Sequence, residues 1–261
     1  MAREKLTRLN TLKRGGIATL ASFALAGTAQ AASLVILTEN LDGNFFVDPS
    51  LAYSAQLGGG LNTATSGGPY AGTNGKTWGG NFFRNATGGG SQPGNLFQLS
   101  FGNLPSHTGV SIDFMLGFLD SWDSFNGSPA PDNLNFYIDG NLVATLTSNQ
   151  ASGTQVNYGG GTLIAGATQI DSNQFFSDVL VDMGSASFLN LAHTGSTLTF
   201  GIQAAGAGWQ GGGDESWGID SFSVTLNGVS GGGNNVPEPA SLALLGLGLA
   251  GLGFGRRKLK R

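Results

Sequence analysis

The chain has 261 residues, 45 of them glycine and none cysteine, and only 11% of it is charged. Without cysteine there is no disulfide staple and no thiolate chemistry, and so much glycine makes poor helix material. Of the 12 basic residues, five lie before residue 32 and five after residue 255, leaving Lys76 and Arg84 to face 14 carboxylates in between. That middle region, near −12 in formal charge, excludes nucleic-acid binding, which needs lysine and arginine for phosphate contact. Its carboxylates must be solvated or neutralised by cations.

Residues 1–31 read as a signal peptide. Arg3, Lys5, Arg8, Lys13 and Arg14 form a basic start, residues 17–26 are apolar, and Ala29-Gln30-Ala31 supplies the small residues of a cleavage site. The apolar run is too short for a durable membrane span. The chain is therefore expected to use the Sec machinery and signal peptidase, with residues 32–229 forming one exported domain.

That domain opens on Leu34-Val35-Ile36-Leu37, a short buried strand. Residues 44–90, rich in Gly, Asn, Ser and Thr, read as long loops with one or two short strands. Phe97, Leu99 and Phe101, then Val110, Ile112, Phe114, Leu116 and Phe118, alternate with period two. Asp139-Gly140 sits between two apolar runs, and Asp-Gly suits a type I′ hairpin turn with positive φ at both positions. Val179, Val181 and Met183, then Leu198, Phe200 and Ile202, then Phe222, Val224 and Leu226 complete the set. Short strands punctuated by turns predict an all-β fold, a single jelly-roll-like β-sandwich with one buried and one largely polar face.

Two acidic groups stand out. Residues 214–222, Asp-Glu-Ser-Trp-Gly-Ile-Asp-Ser-Phe, resemble the closing strand of MAM-like and reelin-like extracellular jelly-roll modules. That resemblance implies a structural calcium beside the N-terminal strand, with Glu39, Asp42, Asp214 and Asp220 as candidate ligands. Hard oxygen donors from separate loops are what calcium requires. Asp220 shares parity with Phe222 and is expected to point inward, where it needs a metal or backbone N–H donors. The second group is Asp120-Ser121-Trp122-Asp123, with Asp132 and Asn133 after a proline-containing loop. An exposed Trp122 beside Asp120 and Asp123 can stack on and hydrogen-bond a sugar. The commoner role, and the one favoured for Trp122, Trp78, Trp209 and Trp217, is to close the core or cap loops.

Catalytic signals are thin. His107 and His193 lie in polar segments without metal-ligand spacing, and there is no G-x-S-x-G elbow. Asp120 and Asp123 as a glycosidase pair would make a secreted hydrolase, but acids this close on a loop more often form turns.

After a Gly/Asn linker at 230–235, residues 236–261 form a second address. Pro237-Glu238-Pro239 precedes an apolar stretch at 242–254 and a basic end that begins with Arg256 and Arg257. As a helix the stretch covers roughly 23 Å, short of a ~30 Å hydrocarbon core, and its basic end stays cytoplasmic. The run 246–251 matches G-x-G-x-x-G, but no strand precedes it and no acid follows, so it is not a dinucleotide fingerprint.

The tail resembles the PEP-CTERM sorting signal. The resemblance implies recognition by exosortase, a transient inner-membrane anchor in a Gram-negative-type bacterium, and final placement at the cell surface or beyond. It also implies an exopolysaccharide-producing host, hence a non-enzymatic matrix or biofilm role. The alternative is a calcium-stabilised carbohydrate-binding or adhesive module.

Overall fold

The computed structural model describes residues 32–230 apart from 64–67, 91, 125–128, 150–155 and 172–175. The signal peptide at 1–31, all but the first residue of the linker at 230–235, and the sorting tail at 236–261 lie outside the described residues. No helix among the described residues is long and apolar enough to cross a membrane.

The first half of the chain supplies β1 (Ala32–Glu39), β2 (Phe45–Val47), β3 (Ala52–Gln56), β4 (Gly60–Thr63), β5 (Tyr70–Ala71), β6 (Thr77–Trp78), β7 (Asn81–Asn85) and β8 (Phe97–Gly102). The second half supplies β9 (Gly109–Asp120), β10 (Asn133–Ile138), β11 (Asn141–Leu146), β12 (Thr162–Thr168), β13 (Asp178–Asp182), β14 (Asn190–Ala192), β15 (Thr197–Ala205) and β16 (Glu215–Val229). Among the described residues one sheet runs β12-β13-β9-β16-β1-β2, with β14 beside β9, β7 beside β16 and β4 beside β7. A five-stranded sheet runs β11-β10-β15-β8-β3. The two form the expected all-β sandwich.

Alternation builds the core between the sheets. Val110, Ile112, Leu116 and Phe118 of β9 stand opposite Leu226, Val224, Ile219 and Trp217 of β16. They pack against Leu134 and Phe136 of β10, Leu198, Phe200 and Ile202 of β15, and Phe97 and Leu99 of β8. Each fully buried side chain of this size contributes about 1.5–3 kcal/mol of transfer free energy. The Asp139-Gly140 turn joins β10 to β11 with φ of 49° and 76°, as a type I′ turn requires.

The outer face of the larger sheet departs from the sequence expectation. Met115, Leu119 and Leu180 are fully buried there beneath Trp78, Phe82 and Ile170 in a second, smaller core. Gly117 and Gly218, paired across β9 and β16, make the room: a Cβ on Gly117 would lie 2.8 Å from the Trp78 ring, and one on Gly218 would lie 2.7 Å from the Phe82 ring. Residues 44–90, expected to be mostly loop, contain β2 to β7, and β6 and β7 carry the aromatics that cover this face.

A bulge in β16 corrects the orientation of Asp220. Asp220 pairs with Met115, but the register slips before Ser223 pairs with Asp113, and Ser221 has φ of 51°. Trp217 and Ile219 face the inter-sheet core before the bulge, and Phe222 and Val224 face it afterwards. Asp220 therefore shares the face of Met115, away from Phe222.

Candidate functional site

Asp220 is 1% exposed. Gly79 N–H donates to its Oδ2 at 3.1 Å and Ser221 N–H to its Oδ1 at 2.6 Å. Burial, reinforced by the charges of Asp42 and Glu39, pushes its pKa up to about 7. Glu39 accepts the Leu41 N–H at 2.6 Å, and Asp42 accepts the Asn81 N–H at 2.7 Å. Three of the four calcium candidates thus share a corner, and each already holds backbone donors. The fourth, Asp214, is not with them: its Oδ1 accepts the Ser121 hydroxyl at 2.7 Å, beside the Asp123 and Glu215 carboxylates.

The described residues bring carboxylate oxygens within 4.8 Å of one another in two triads, Asp120/Asp171/Asp178 and Asp123/Asp132/Glu215. The first has a cation of its own. Arg84 lies 3.0 Å from Asp120 and 3.7 Å from Asp171, and its Nε donates to the Ser216 hydroxyl at 2.8 Å. Asp178 accepts the backbone N–H groups of Asp120 and Ile170 at 2.8 and 2.6 Å. Burial still pushes its pKa up to about 6. The other basic side chain of the domain, Lys76, is 2.5 Å from Asp113 and 2.8 Å from Asp182. Burial pushes the Asp182 carboxyl up, but hydrogen bonds from Lys76, Thr73 and Gly184 outweigh it and hold the group below the usual range.

The second triad has neither cation nearby. Asp132 and Glu215 are fully buried, whereas Asp123 is partly exposed. Asp132 Oδ2 accepts the Asp123 N–H, Oδ1 has no N–H or hydroxyl donor, and the Asp132 and Glu215 carboxyls lie within hydrogen-bond reach of each other. Glu215 accepts the Gln210 N–H at 2.6 Å and its side-chain amide at 3.3 Å. Burial, with acidic neighbours adding, pushes Asp132 up to about 8 and Glu215 up to about 7. Burial followed by the charge of Asp214 also raises Asp123. Sequence had placed Asp123 and Asp132 in one group and Glu215 in the other; the pairing of β9 with β16 merges them.

Trp122 is 1% exposed, and its Nε1 donates to the Ser216 carbonyl at 2.6 Å. Its ring packs on Phe118 and Trp209. Trp78, Trp209 and Trp217 are likewise fully buried. Trp122 thus closes the core, and the alternative of a sugar platform with Asp120 and Asp123 is corrected: Trp122 offers no open face, and Asp120 is a buried partner of Arg84. Exposed aromatic surface lies elsewhere. A cavity of about 270 Å³ is lined by Phe45, Tyr53, Leu57, Leu61 and the carboxylate-bearing Glu39, with Phe45 56% and Leu61 68% exposed. The Phe45 and Tyr53 rings are 6.1 Å apart. No sequence signal picked out this groove, because its residues come from short strands without visible periodicity.

The two histidines, unremarkable in sequence, meet in space. His107 Nδ1 lies 2.7 Å from the Pro105 carbonyl, which can only accept, so that nitrogen carries a proton; His107 Nε2 and His193 Nδ1 lie 2.7 Å apart and share a hydrogen bond. His193 Nε2 is 3.2 Å from Asp139. The chain ties the loops before β9 and after β14 to the β10–β11 turn.

Residues 235–258 match the PEP-CTERM protein-sorting motif. The chain is thus an exported protein that carries an exosortase sorting signal for the cell surface. No curated protein matches it. Among solved structures, it is similar to the CBM22-1 xylan-binding domain of Paenibacillus barcinonensis Xyn10C, at 14% identity and a TM-score of 0.30 over 77% of this chain and 99% of that one. It is also similar to the CBM2 module of the Lactobacillus casei BL23 phage J-1 evolved Dit, at 11% identity and a TM-score of 0.34, again over 77% and 99%.

Proposed function

We propose that this is a non-enzymatic surface protein whose β-sandwich associates with the cell's own exopolysaccharide in a biofilm matrix. Signal peptidase removes residues 1–31 after Sec export, and residues 242–254 hold the chain briefly in the inner membrane until exosortase acts at the tail. The observation that carries this reading is the sorting motif at 235–258, joined to a domain too acidic to bind polyanions. Contact with neutral sugar faces falls to the groove of Phe45 and Tyr53, where the exposed Phe45 ring and the partly buried Tyr53 ring adjoin Glu39; aromatic faces stack on sugar C–H surfaces and a carboxylate accepts from hydroxyls.

Two experiments test the reading. Replacing Pro237-Glu238-Pro239 by alanines leaves the protein in the inner-membrane fraction instead of at the surface; unchanged sorting would remove the exosortase step. Sedimentation of the protein with purified exopolysaccharide is expected to fall at least tenfold in a Phe45→Ala/Tyr53→Ala double variant. Equal sedimentation would point away from the groove, and no sedimentation of either protein would remove the matrix role.

A further inference from the structure

The second acidic triad has no basic side chain against it, and its Asp132 and Glu215 carboxyls share a hydrogen bond that requires a proton. Asp123, Asp132 and Glu215 each bring an oxygen within 4.8 Å of the others. Two oxygens touching one calcium ion at about 2.4 Å lie no more than about 4.8 Å apart, so the three fit a single ion. An independent feature marks the same spot: Asp132 is 0% exposed, and no N–H or hydroxyl group reaches its Oδ1. Ionised, such an oxygen would cost several kcal/mol by the usual scale for unpaired polar groups, so the group holds a proton until a cation replaces it. Gly208 guards the position, since a Cβ there would stand 2.5 Å from that oxygen. Lys76 and Arg84 are committed to other carboxylates, and Asp214 adds a further negative charge.

We infer that a calcium ion binds between Asp123, Asp132 and Glu215, and that this site, rather than the Glu39/Asp42/Asp220 corner, is the metal centre of the domain. All three donors are hard oxygens, as calcium prefers, and the partly exposed side of Asp123 leaves room for water to complete a coordination number of about six to eight. Asp132 directly precedes β10 of the smaller sheet, Asp123 follows β9, and Glu215 opens β16 of the larger sheet. The ion therefore clips the two sheets together at one end, where a cysteine-free chain has no covalent staple. Affinity in the range of extracellular modules, about 10⁻⁴–10⁻³ M, is expected.

The test is calcium titration calorimetry on the intact chain in mild detergent, paired with thermal unfolding in calcium and in chelator. One saturable event is expected, with melting about 5–10 °C higher at hundredfold saturation. Asp132→Asn and Asp123→Asn should each weaken binding about tenfold or more by removing a charged ligand, and Asp220→Asn should leave it unchanged. Asp123→Asn, at the partly exposed ligand, keeps the test decisive if Asp132→Asn fails to fold. Absence of binding with identical melting in calcium and chelator would overturn the proposal, leaving protons to neutralise the triad. Binding that survives Asp123→Asn but is lost in Asp220→Asn would also overturn it, by moving the ion to the other corner.

Discussion

Asp120/Asp171/Asp178 and Asp123/Asp132/Glu215 adjoin one another, since Asp120 and Glu215 stand directly opposite across β9 and β16. The first set is drawn from strands and loops of the larger sheet and the second adds Asp132 from the start of the smaller one, and both are mainly buried. The first is held by Arg84 and by backbone N–H groups. The second has the same concentration of carboxylate without a guanidinium. With only two basic residues for 14 acids in the exported domain, one of two neighbouring triads receives a cation from the chain and the other must take one from outside. Burial makes the difference matter, because a charge taken out of water without a partner is costly.

The largest effect is expected from breaking the self-sufficient triad. Arg84→Met should cost about 3–5 kcal/mol in denaturant unfolding, the usual penalty for leaving buried charges without their partner, and calcium should not restore it. Withdrawal of calcium from the wild-type chain comes next, at about 2.7 kcal/mol relative to hundredfold saturation, read as a lower unfolding midpoint in chelator.

The dependence on pH sharpens the contrast. Asp132, raised from its ordinary 3.8 to about 8, binds a proton in the folded state that the unfolded chain has released between those values. Stability in chelator should therefore be greatest below about pH 4 for this group and should fall as pH rises to about 8. Calcium replaces the protons, so saturating calcium should flatten that part of the slope. Asp220 and Asp178, raised to about 7 and about 6, contribute a remaining slope that calcium leaves in place. A smaller effect, about 1 kcal/mol, is expected for Asp220→Asn, which weakens two backbone hydrogen bonds and keeps the calcium response intact. Smallest is Phe45→Ala, whose exposed ring should change stability by no more than about 0.5 kcal/mol.

Side-chain period made much of the sandwich legible. Val110 to Phe118, Leu198 to Ile202 and the Asp139-Gly140 turn each carry their geometry in local chemistry, and each stands where the alternation put it. The strands between residues 44 and 90 were not legible, because strands of two to five residues are too short to display a period. β6 and β7 cover Met115, Leu119 and Leu180, while β2 and β3 extend the two sheets beside β1 and β8, and both are facts about tertiary structure. Asp220 was misread because parity was carried across the Ser221 bulge, which nothing in the local sequence announces.

The acids themselves were visible, and so was their shortage of basic partners. Which acids meet was not, since Asp132 and Glu215 come together only through the order of strands in two different sheets. The sugar platform stayed open as an alternative for Trp122 for the same reason: its neighbours in sequence are polar, whereas its neighbours in space are Phe118 and Trp209.

Proton release on calcium binding tests the account most directly. Titration of the intact chain near pH 7 in buffers of different ionisation enthalpy counts the protons expelled. A buried triad that holds protons until the metal arrives predicts about one proton released per calcium, abolished by Asp132→Asn. Calcium binding without proton release would place the ion on carboxylates that are already ionised and would contradict the assignment to Asp123, Asp132 and Glu215.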